Sequence, residues 1–372
     1  SRLSLKIAVL EKELDVACGN SSRNTGMLHA GFTYAPGSLK AACAVEGNQE
    51  FDQVAQELDV PFKRTGKLVV GFDEKDRENI LKFKKIGEIN GVRGMEMIDR
   101  KRMDEIDPNA GGNFAMYVPS SGILDPMQYT IALAENACAN GVCFRFGHKV
   151  ERISRLEDGW MLHTSKGDVK TKWVINCAGM YASQISAMLG YPEYPVRGFK
   201  GEYYVLDKKA GKNMPIPIYP APNEKGGFAT HATPTIDGNV LVGPDSYLTE
   251  GLEDYKVTKE HMDGLYTDGL KMFKEMKREY FIRNFAGIRW KIYDPATGEN
   301  KDFVLESDGA NPFTVNLVGI ESPGLTCALP LTRRAVSILK EKEYPAPNPA
   351  FNPCRRGIRR ISEMSREEQA AA

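Results

Sequence analysis

The run LKIAVLE, residues 5–11, and the segment that follows it, KELDVACGNSSRNTGMLHAG, residues 12–31, decide how the rest of the chain is read. Leu5 to Leu10 is apolar throughout and short, the pattern of a strand buried on both faces, and it ends on Glu11. In dinucleotide-binding βαβ units an acidic residue at such a carboxyl end takes the hydroxyls of the adenosine ribose. The small, polar stretch Cys18 to Gly31 can bring backbone and hydroxyl donors close to a large anionic ligand. A glycine fingerprint, G-x-G-x-x-G, belongs roughly 20 residues upstream of that acid. Four residues precede Leu5, and the motif occurs nowhere else. The sequence is therefore read as lacking its first strand and glycine turn, with Ser1 to Ser4 as the last turn of a helix entering the strand; the alternative is that the ribose reading fails.

Composition narrows the class. The 372 residues can hold two domains with sizeable cores, and 42% hydrophobic with 26% charged is ordinary for a soluble enzyme. Lys plus Arg and Asp plus Glu both number 49, so the formal net charge is zero and the electrostatic case for nucleic acid as a partner is absent. The seven cysteines are scattered without a C-x-x-C, and no metal-ligand spacing is present. They read as reduced thiols of a cytoplasmic protein, most of them small core residues.

Taken in order, helices and strands alternate. Pro36-Gly37-Ser38 starts a helix through about Leu58, Lys67 to Gly71 is a strand, and a charged helix runs from Asp73 to Asn90. Asp125-Pro126 caps a helix ending near Gly141, and strands follow at Val142 to Phe146, Lys149 to Leu156 and Trp160 to Thr164. Lys172 to Asn176 is a further strand running into Cys177-Ala178-Gly179 and the helix Met180 to Leu189, a turn small enough to let a ligand approach its backbone. From Tyr191 to Tyr293, proline, aromatic and glycine clusters predict an antiparallel sheet, covered by a helix from Thr258 to Glu279 with Thr258 as its cap. The chain then returns to a strand, Thr314 to Val318, a turn, Gly319 to Gly324, and a helix beginning near Leu325, whose free N–H groups can stabilise negative charge.

Five stretches, Ser21 to Gly31, Trp173 to Gly179, Gly238 to Pro244, Phe285 to Arg289 and Gly319 to Thr326, stand in register over nearly the whole chain. Together they resemble the flavoprotein family that includes D-amino-acid oxidase, glycerol-3-phosphate dehydrogenase and L-2-hydroxyglutarate dehydrogenase. The form N-x-G-x-x-H-x-G of Asn24 to Gly31, with Thr233 to Gly238, is most similar to the last two. The resemblance implies an α/β protein, α+β overall, with a non-contiguous Rossmann-like FAD-binding domain missing its first strand and an antiparallel-sheet substrate domain. Residues 1–72, 122–195 and 294–345 would form the first, 73–121 and 196–293 the second, and 346–372 a linker toward a further domain. In some bacterial members the stretch Phe351-Asn352-Pro353 and Arg355 to Glu368 resembles the lead into a small [2Fe–2S] domain.

The same resemblance implies roles. Glu11 would bind the adenosine ribose, Ser21, Ser22 and Arg23 would line the pyrophosphate and ribityl chain, and Val150 would contact adenine by backbone. Ala178, Gly179 and Gly287 would pass close to the cofactor, and Pro323, Gly324, Leu325 and Thr326 would face the pyrimidine end of the flavin. Oxidising a C–H beside a hydroxyl moves hydride to the flavin and a proton to a base. His29 and His231 are the candidates by ordinary pKa. Arg289 is the candidate grip on an anionic group, with a loop carboxylate as its competing partner. Lys200 is read as solvated rather than as a ligand contact. The expected partners are a small anionic substrate and an electron acceptor, whether quinone, oxygen or a redox protein. Peripheral association of the full-length protein with the inner membrane face stays open. A flavin amine or amino-acid oxidase and a binding-only fragment are the other readings. A chain without the glycine turn is expected to hold FAD weakly and to aggregate.

Overall fold

Strands from three distant stretches of sequence make the largest sheet. The computed structural model describes residues 2–358, 361 and 364–371. Its nine-stranded sheet runs Tyr247–Thr249, Val196–Leu206, Val240–Gly243, His231–Pro234, Ile218–Pro220, Leu68–Gly71, Phe114–Tyr117 and Glu96–Asp99, with Phe281–Ile292 paired along Val196–Leu206. Every pairing is antiparallel except that of Leu68–Gly71 with Ile218–Pro220.

Because side chains alternate across a strand, register assigns each residue a face. Leu68, Ile218, Ala232, Val242 and Tyr204 share one face, which packs with Met272 and Phe273 at the end of the helix Lys259–Met272 into the largest buried cluster. The other face carries Val69, Tyr219, His231, Tyr203, Phe285, Gly287 and Arg289. Lys67 extends that face by one step, since its N–H and C=O both pair with Val118.

The helix over the sheet ends at Met272, short of the expected Glu279, and the Thr258 side chain does not cap it. That hydroxyl instead donates to Glu202 Oε1 (3.3 Å), and the Thr258 N–H donates to Glu202 Oε2 (2.9 Å). Donating to the buried Glu202 carboxylate holds the hydroxyl away from the helix N–H groups from which a cap would accept.

The rest of the fold surrounds this sheet with helices and small ladders. Ser38 Oγ accepts from the Ala41 N–H at 3.0 Å to open the helix Leu39–Leu58, and Asp73 and Asp125 cap Glu74–Ile89 and Pro126–Ala139 in the same way. Leu39–Leu58 packs on Gly324–Glu343 at backbone distance: a Cβ on Gly47 would lie 1.8 Å from the Thr326 carbonyl oxygen.

Two expectations about the strands are corrected. The first strand is Ala8–Glu11, and it is only partly covered, with Val9 37% exposed. It pairs in parallel with Cys143–Phe146 alone, whereas Val174–Asn176 and Thr314–Val318 pair with each other in a separate sheet with Val304–Glu306. Among the described residues no strand bridges the two ladders, so the three expected sheet-mates fall into two sheets. The turns after Ala8–Glu11 and Val174–Asn176 still meet: Lys12 Nζ lies 5.2 Å from the centroid of the Tyr181 ring. The strand Gly167–Thr171, absent from the sequence reading, completes a three-stranded meander with Val150–Leu156 and Gly159–Thr164.

The ends differ as well. Residues 2–4 are not helical: Leu3 bridges Pro347 and the Ser4 N–H donates to the Ala346 carbonyl at 2.8 Å. Ser1 lies outside the described residues. At the other end Arg355 is docked, its Nε donating to Glu135 Oε2 at 2.6 Å and its N–H to the Glu57 carbonyl at 2.8 Å. Of the expected linker 346–372, residues 359, 360, 362, 363 and 372 lie outside the described residues. The thiol reading also changes: only Cys43 and Cys327 are buried, and the other five cysteines are exposed.

Candidate active site

Three chain segments converge on the face of the large sheet that carries His231 and Arg289. The first is Asn24 to Gly31. Gly26, at φ +67°, turns the chain so tightly against Leu124 that a Cβ would lie 2.4 Å from its carbonyl oxygen. That turn delivers Thr25 between Tyr203 and His231, with its hydroxyl 3.4 Å from each of their polar atoms. His29 follows two residues after Met27, its N–H donating to Thr326 Oγ1 (3.2 Å) and its carbonyl accepting from Asn48 Nδ2 (3.0 Å).

The second segment is the turn before Gly324–Glu343. Ser322 Oγ lies 3.5 Å from His29 Nε2, so His29 sits at the amino end of this helix. Among the described residues no side chain caps that end; the Gly324 N–H turns back to the Glu321 carbonyl (2.5 Å), and the N–H groups of Leu325 and Thr326, with the positive dipole end, remain for a ligand. Glu321, one residue earlier, is buried between Lys40 Nζ at 2.6 Å and Lys291 Nζ at 3.5 Å. Burial alone would raise its pKa; the two lysines outweigh that and hold it below the usual carboxylate range.

The third segment is the sheet face itself. His231 is 5% exposed and stacks on Tyr219 with ring centroids 3.7 Å apart. Its Nδ1 donates to the Ala229 carbonyl at 3.1 Å, which in the neutral ring leaves Nε2 as an acceptor pointing toward Thr25. Burial, with the charges of Lys67 and Arg289, pushes both imidazoles down to about 3. They are neutral at physiological pH, and a bound anion would make either a better proton acceptor.

Arg289 is close enough to bear on both histidines and on Tyr203 and Tyr219, and its guanidinium donates to Ser246 Oγ at 3.0 Å. No carboxylate among the described residues pairs with it, so the loop-carboxylate alternative does not hold. Lys200 is corrected: it is 1% exposed and paired with Asp254 at 3.0 Å, not solvated.

The residues expected along a dinucleotide occupy an open path. Glu11 accepts from the Glu13 N–H through Oε1 alone (2.9 Å), and its carbonyl accepts from the His148 N–H, which brings the stretch leading into Val150 beside it. Cys177, Ala178 and Gly179 are exposed, and a Cβ on Gly179 would meet nothing within 4 Å. Ser21 and Ser22 lie in the short turn Asn20–Ser22, and Arg23 follows with a buried Nε that has no partner. Gly287 presses against it: a Cβ there would come 2.1 Å from the Arg23 carbonyl oxygen. An uncapped helix end, an orphaned guanidinium nitrogen, a carboxylate with a spare oxygen and an uncrowded glycine turn together fit a long anionic cofactor with a hydroxylated sugar at one end.

Sequence reasoning missed Lys67, Tyr219, Tyr203 and Thr25. Their signal was strand parity: once the pairing is known, Lys67, Tyr219, His231 and Tyr203 fall on one face.

This arrangement belongs to a flavoenzyme, and comparison with known proteins says which kind. Residues 1–335 match the family described as FAD dependent oxidoreductase, and the chain belongs to that family. It is 35% identical to a glycerol 3-phosphate dehydrogenase of Caloramator mitchellensis, over 99% of this chain and 76% of that one. It is 28% identical to an L-2-hydroxyglutarate dehydrogenase of Indibacter alkaliphilus, over 88% and 90%. The structure of dithionite-reduced L-α-glycerophosphate oxidase from Mycoplasma pneumoniae with FAD bound superposes with a TM-score of 0.88 at 25% identity, covering 96% of this chain and 94% of that one. The chain is thus an FAD-dependent oxidoreductase, working between a substrate and an electron acceptor. No helix among the described residues is long and apolar enough to cross a membrane.

Proposed function

We propose that this protein oxidises the CH–OH group of a small anionic substrate, a 2-hydroxy acid of the L-2-hydroxyglutarate kind or glycerol 3-phosphate. The observation that carries the reading is the pair of neutral imidazoles, His231 buried and His29 partly covered, beside an arginine with no carboxylate partner among the described residues, at the end of the helix Gly324–Glu343 that no side chain caps. FAD, when bound, supplies the hydride acceptor. Glu11 and the stretch near Val150 would hold its adenosine end, Ser21 to Arg23, Ala178, Gly179 and Gly287 its middle, and Pro323 to Thr326 the flavin.

The protein's own part is to orient and to move a proton. Arg289 holds the anionic group by paired hydrogen bonds. The carbinol proton passes to Nε2 of His29 or of His231, both unprotonated at rest. The N–H groups at the start of Gly324–Glu343 stabilise negative charge that develops beside them. Met27, Ile123 and Tyr219 pack together and keep water out. The acceptor for the electrons is a quinone, oxygen or a redox protein, and a quinone would bring the protein against a membrane face.

Anaerobic bleaching of the flavin band tests this. L-2-hydroxyglutarate or glycerol 3-phosphate should bleach it and the matching amino acids should not; bleaching by amino acids alone would make the protein an amine oxidase. His29→Asn and His231→Asn then separate the roles. The base variant loses kcat, and the other mainly raises KM.

A further inference from the structure

Lys67 is a buried lysine with no counterion among the described residues. The residue is 1% exposed, and no carboxylate among the described residues lies within ion-pairing distance of Nζ. Nζ is faced by three rings instead: Tyr219 at 4.4 Å, Phe32 at 4.8 Å and Phe228 at 4.9 Å from the centroids. Ring faces attract a cation, but they offer none of the hydrogen-bond acceptors that three ammonium protons need. Burial without such partners brings its pKa down to about 7. A lysine in this condition rests between neutral and charged near pH 7, and an anion that reaches Nζ favours the charged form.

Its place in the sheet says what that is. Across the shared face the order is Lys67, Tyr219, His231, Tyr203, Arg289, with Lys67 beside Leu68–Gly71 and Arg289 on the far strand Phe281–Ile292. Tyr219 touches both Lys67 and His231. Lys67 and Arg289 each act electrostatically on His29 and on His231, so the two cations flank the proton acceptors from opposite sides.

We propose that Lys67 binds a second anionic group of the substrate, so that the site takes a 2-hydroxydicarboxylate held at one carboxylate by Arg289 and at the other by Lys67, with the carbinol between them at the histidines. This rests on the oxidation proposed above and narrows its substrate class to molecules charged at both ends. Seating the distal carboxylate on Lys67 gives the ammonium its missing acceptor and restores its charge.

The flavin-loaded protein provides the test. By calorimetry, glutarate should bind at least about 10-fold more tightly than butyrate, which keeps one carboxylate and loses the other. In Lys67→Met that preference should vanish, while flavin content and butyrate affinity stay as in the wild type. In turnover, Lys67→Met alters the histidines' surroundings for every substrate, so the ratio is the readout: kcat/KM for L-2-hydroxyglutarate should fall about 10²-fold further than that for 2-hydroxybutyrate. Equal losses on the two substrates, or glutarate binding no better than butyrate to the wild type, would overturn the assignment. Should Lys67→Met lose its flavin, Lys67→Gln, which keeps a donor without the charge, is read in the same two assays. No bleaching by any hydroxy compound would instead defeat the oxidation reading, and the glutarate preference would still report on Lys67.

Discussion

Lowering the pH from 7.5 to 5.0 should destabilise this protein through its buried imidazoles. His231 is pushed down to about 3 from an ordinary 6.5, chiefly by burial and further by Lys67 and Arg289. Its folded pKa lies below its unfolded one, so between the two values the unfolded chain binds the extra proton. Stability is whole above 6.5 and is lost as the pH falls below it. Over the interval from 6.5 to 5.0 the loss is about 2 kcal/mol, at about 1.4 kcal/mol per unit. His29 is likewise pushed to about 3, but its ring is only partly covered, and about half that amount is assigned to it. Asp107 works the other way. Burial raises it from 3.8 to about 6, so the folded state takes up its proton first and regains about 1 kcal/mol as the pH falls from 6 to 5.0. The net loss from these three groups is about 2 kcal/mol. Urea midpoints at the two pH values measure the change, and His231→Asn isolates the main contribution, since an asparagine takes up no proton. The loss in that variant should be smaller than in the wild type by about 2 kcal/mol. A variant that loses as much stability as the wild type between pH 7.5 and 5.0 would refute a neutral, desolvated His231.

Three further outcomes follow from the geometry. Arg289→Ala should raise KM or lower kcat/KM by about 10²-fold if a desolvated charge pair with substrate is lost, and unchanged kinetics would remove Arg289 from the site. Gly287→Ala sets a Cβ against the Arg23 carbonyl and forces Phe281–Ile292 off the turn Asn20–Ser22, breaking the hydrogen bond from the Ile288 N–H to Asn20 Oδ1 (2.8 Å); flavin retained through gel filtration should drop, and full retention would show that the contact yields without cost. Glu321→Gln leaves the partly buried Lys40 and Lys291 without their carboxylate and should cost about 1–2 kcal/mol in chemical denaturation, with Lys40→Met in the same chain recovering part of it; a change below about 0.5 kcal/mol would mean that water already serves those lysines.

Local chemistry was legible at several points where the chain carries its own instructions, though not at Thr258, whose hydroxyl was read as a cap and is held by Glu202 instead. Ser38 and Asp125 open helices because their side chains reach backbone N–H groups two or three residues on, a property of the segment itself; Asp73, read as the first helical residue, is the cap one step before it. The turn from Thr314–Val318 into Gly324–Glu343 was legible for the same reason. What could not be read depended on partners. An apolar run does not say which strand lies beside it, so Ala8–Glu11 was placed in the wrong sheet. Lys67 opening an apolar strand looks like any edge lysine until Phe32, Tyr219 and Phe228 are seen around it. Lys200 looked solvated because Asp254, which covers it, is 54 residues away. His29, His231 and Arg289 were named from their motifs, and the geometry brings them together, but Thr25, set between Tyr203 and His231, was singled out by no motif.

The parallel seam between Leu68–Gly71 and Ile218–Pro220 bears on how the protein is made. As the chain leaves the ribosome, Phe114–Tyr117 can pair with one edge of Leu68–Gly71 early, but the partner for the other edge is 150 residues further on, at Ile218. At about 5–20 residues per second that edge waits roughly 8–30 s, presenting an apolar Leu-Val-Val sequence with unpaired backbone groups. Such an edge is a template for pairing with another nascent chain. Yield during rapid overexpression should therefore depend on chaperones and on growth temperature, and a ribosome-stalled chain ending before Ile218 should be more prone to aggregate than one released just past Gly243, where Ile218–Pro220, His231–Pro234 and Val240–Gly243 are all in place to close the seam.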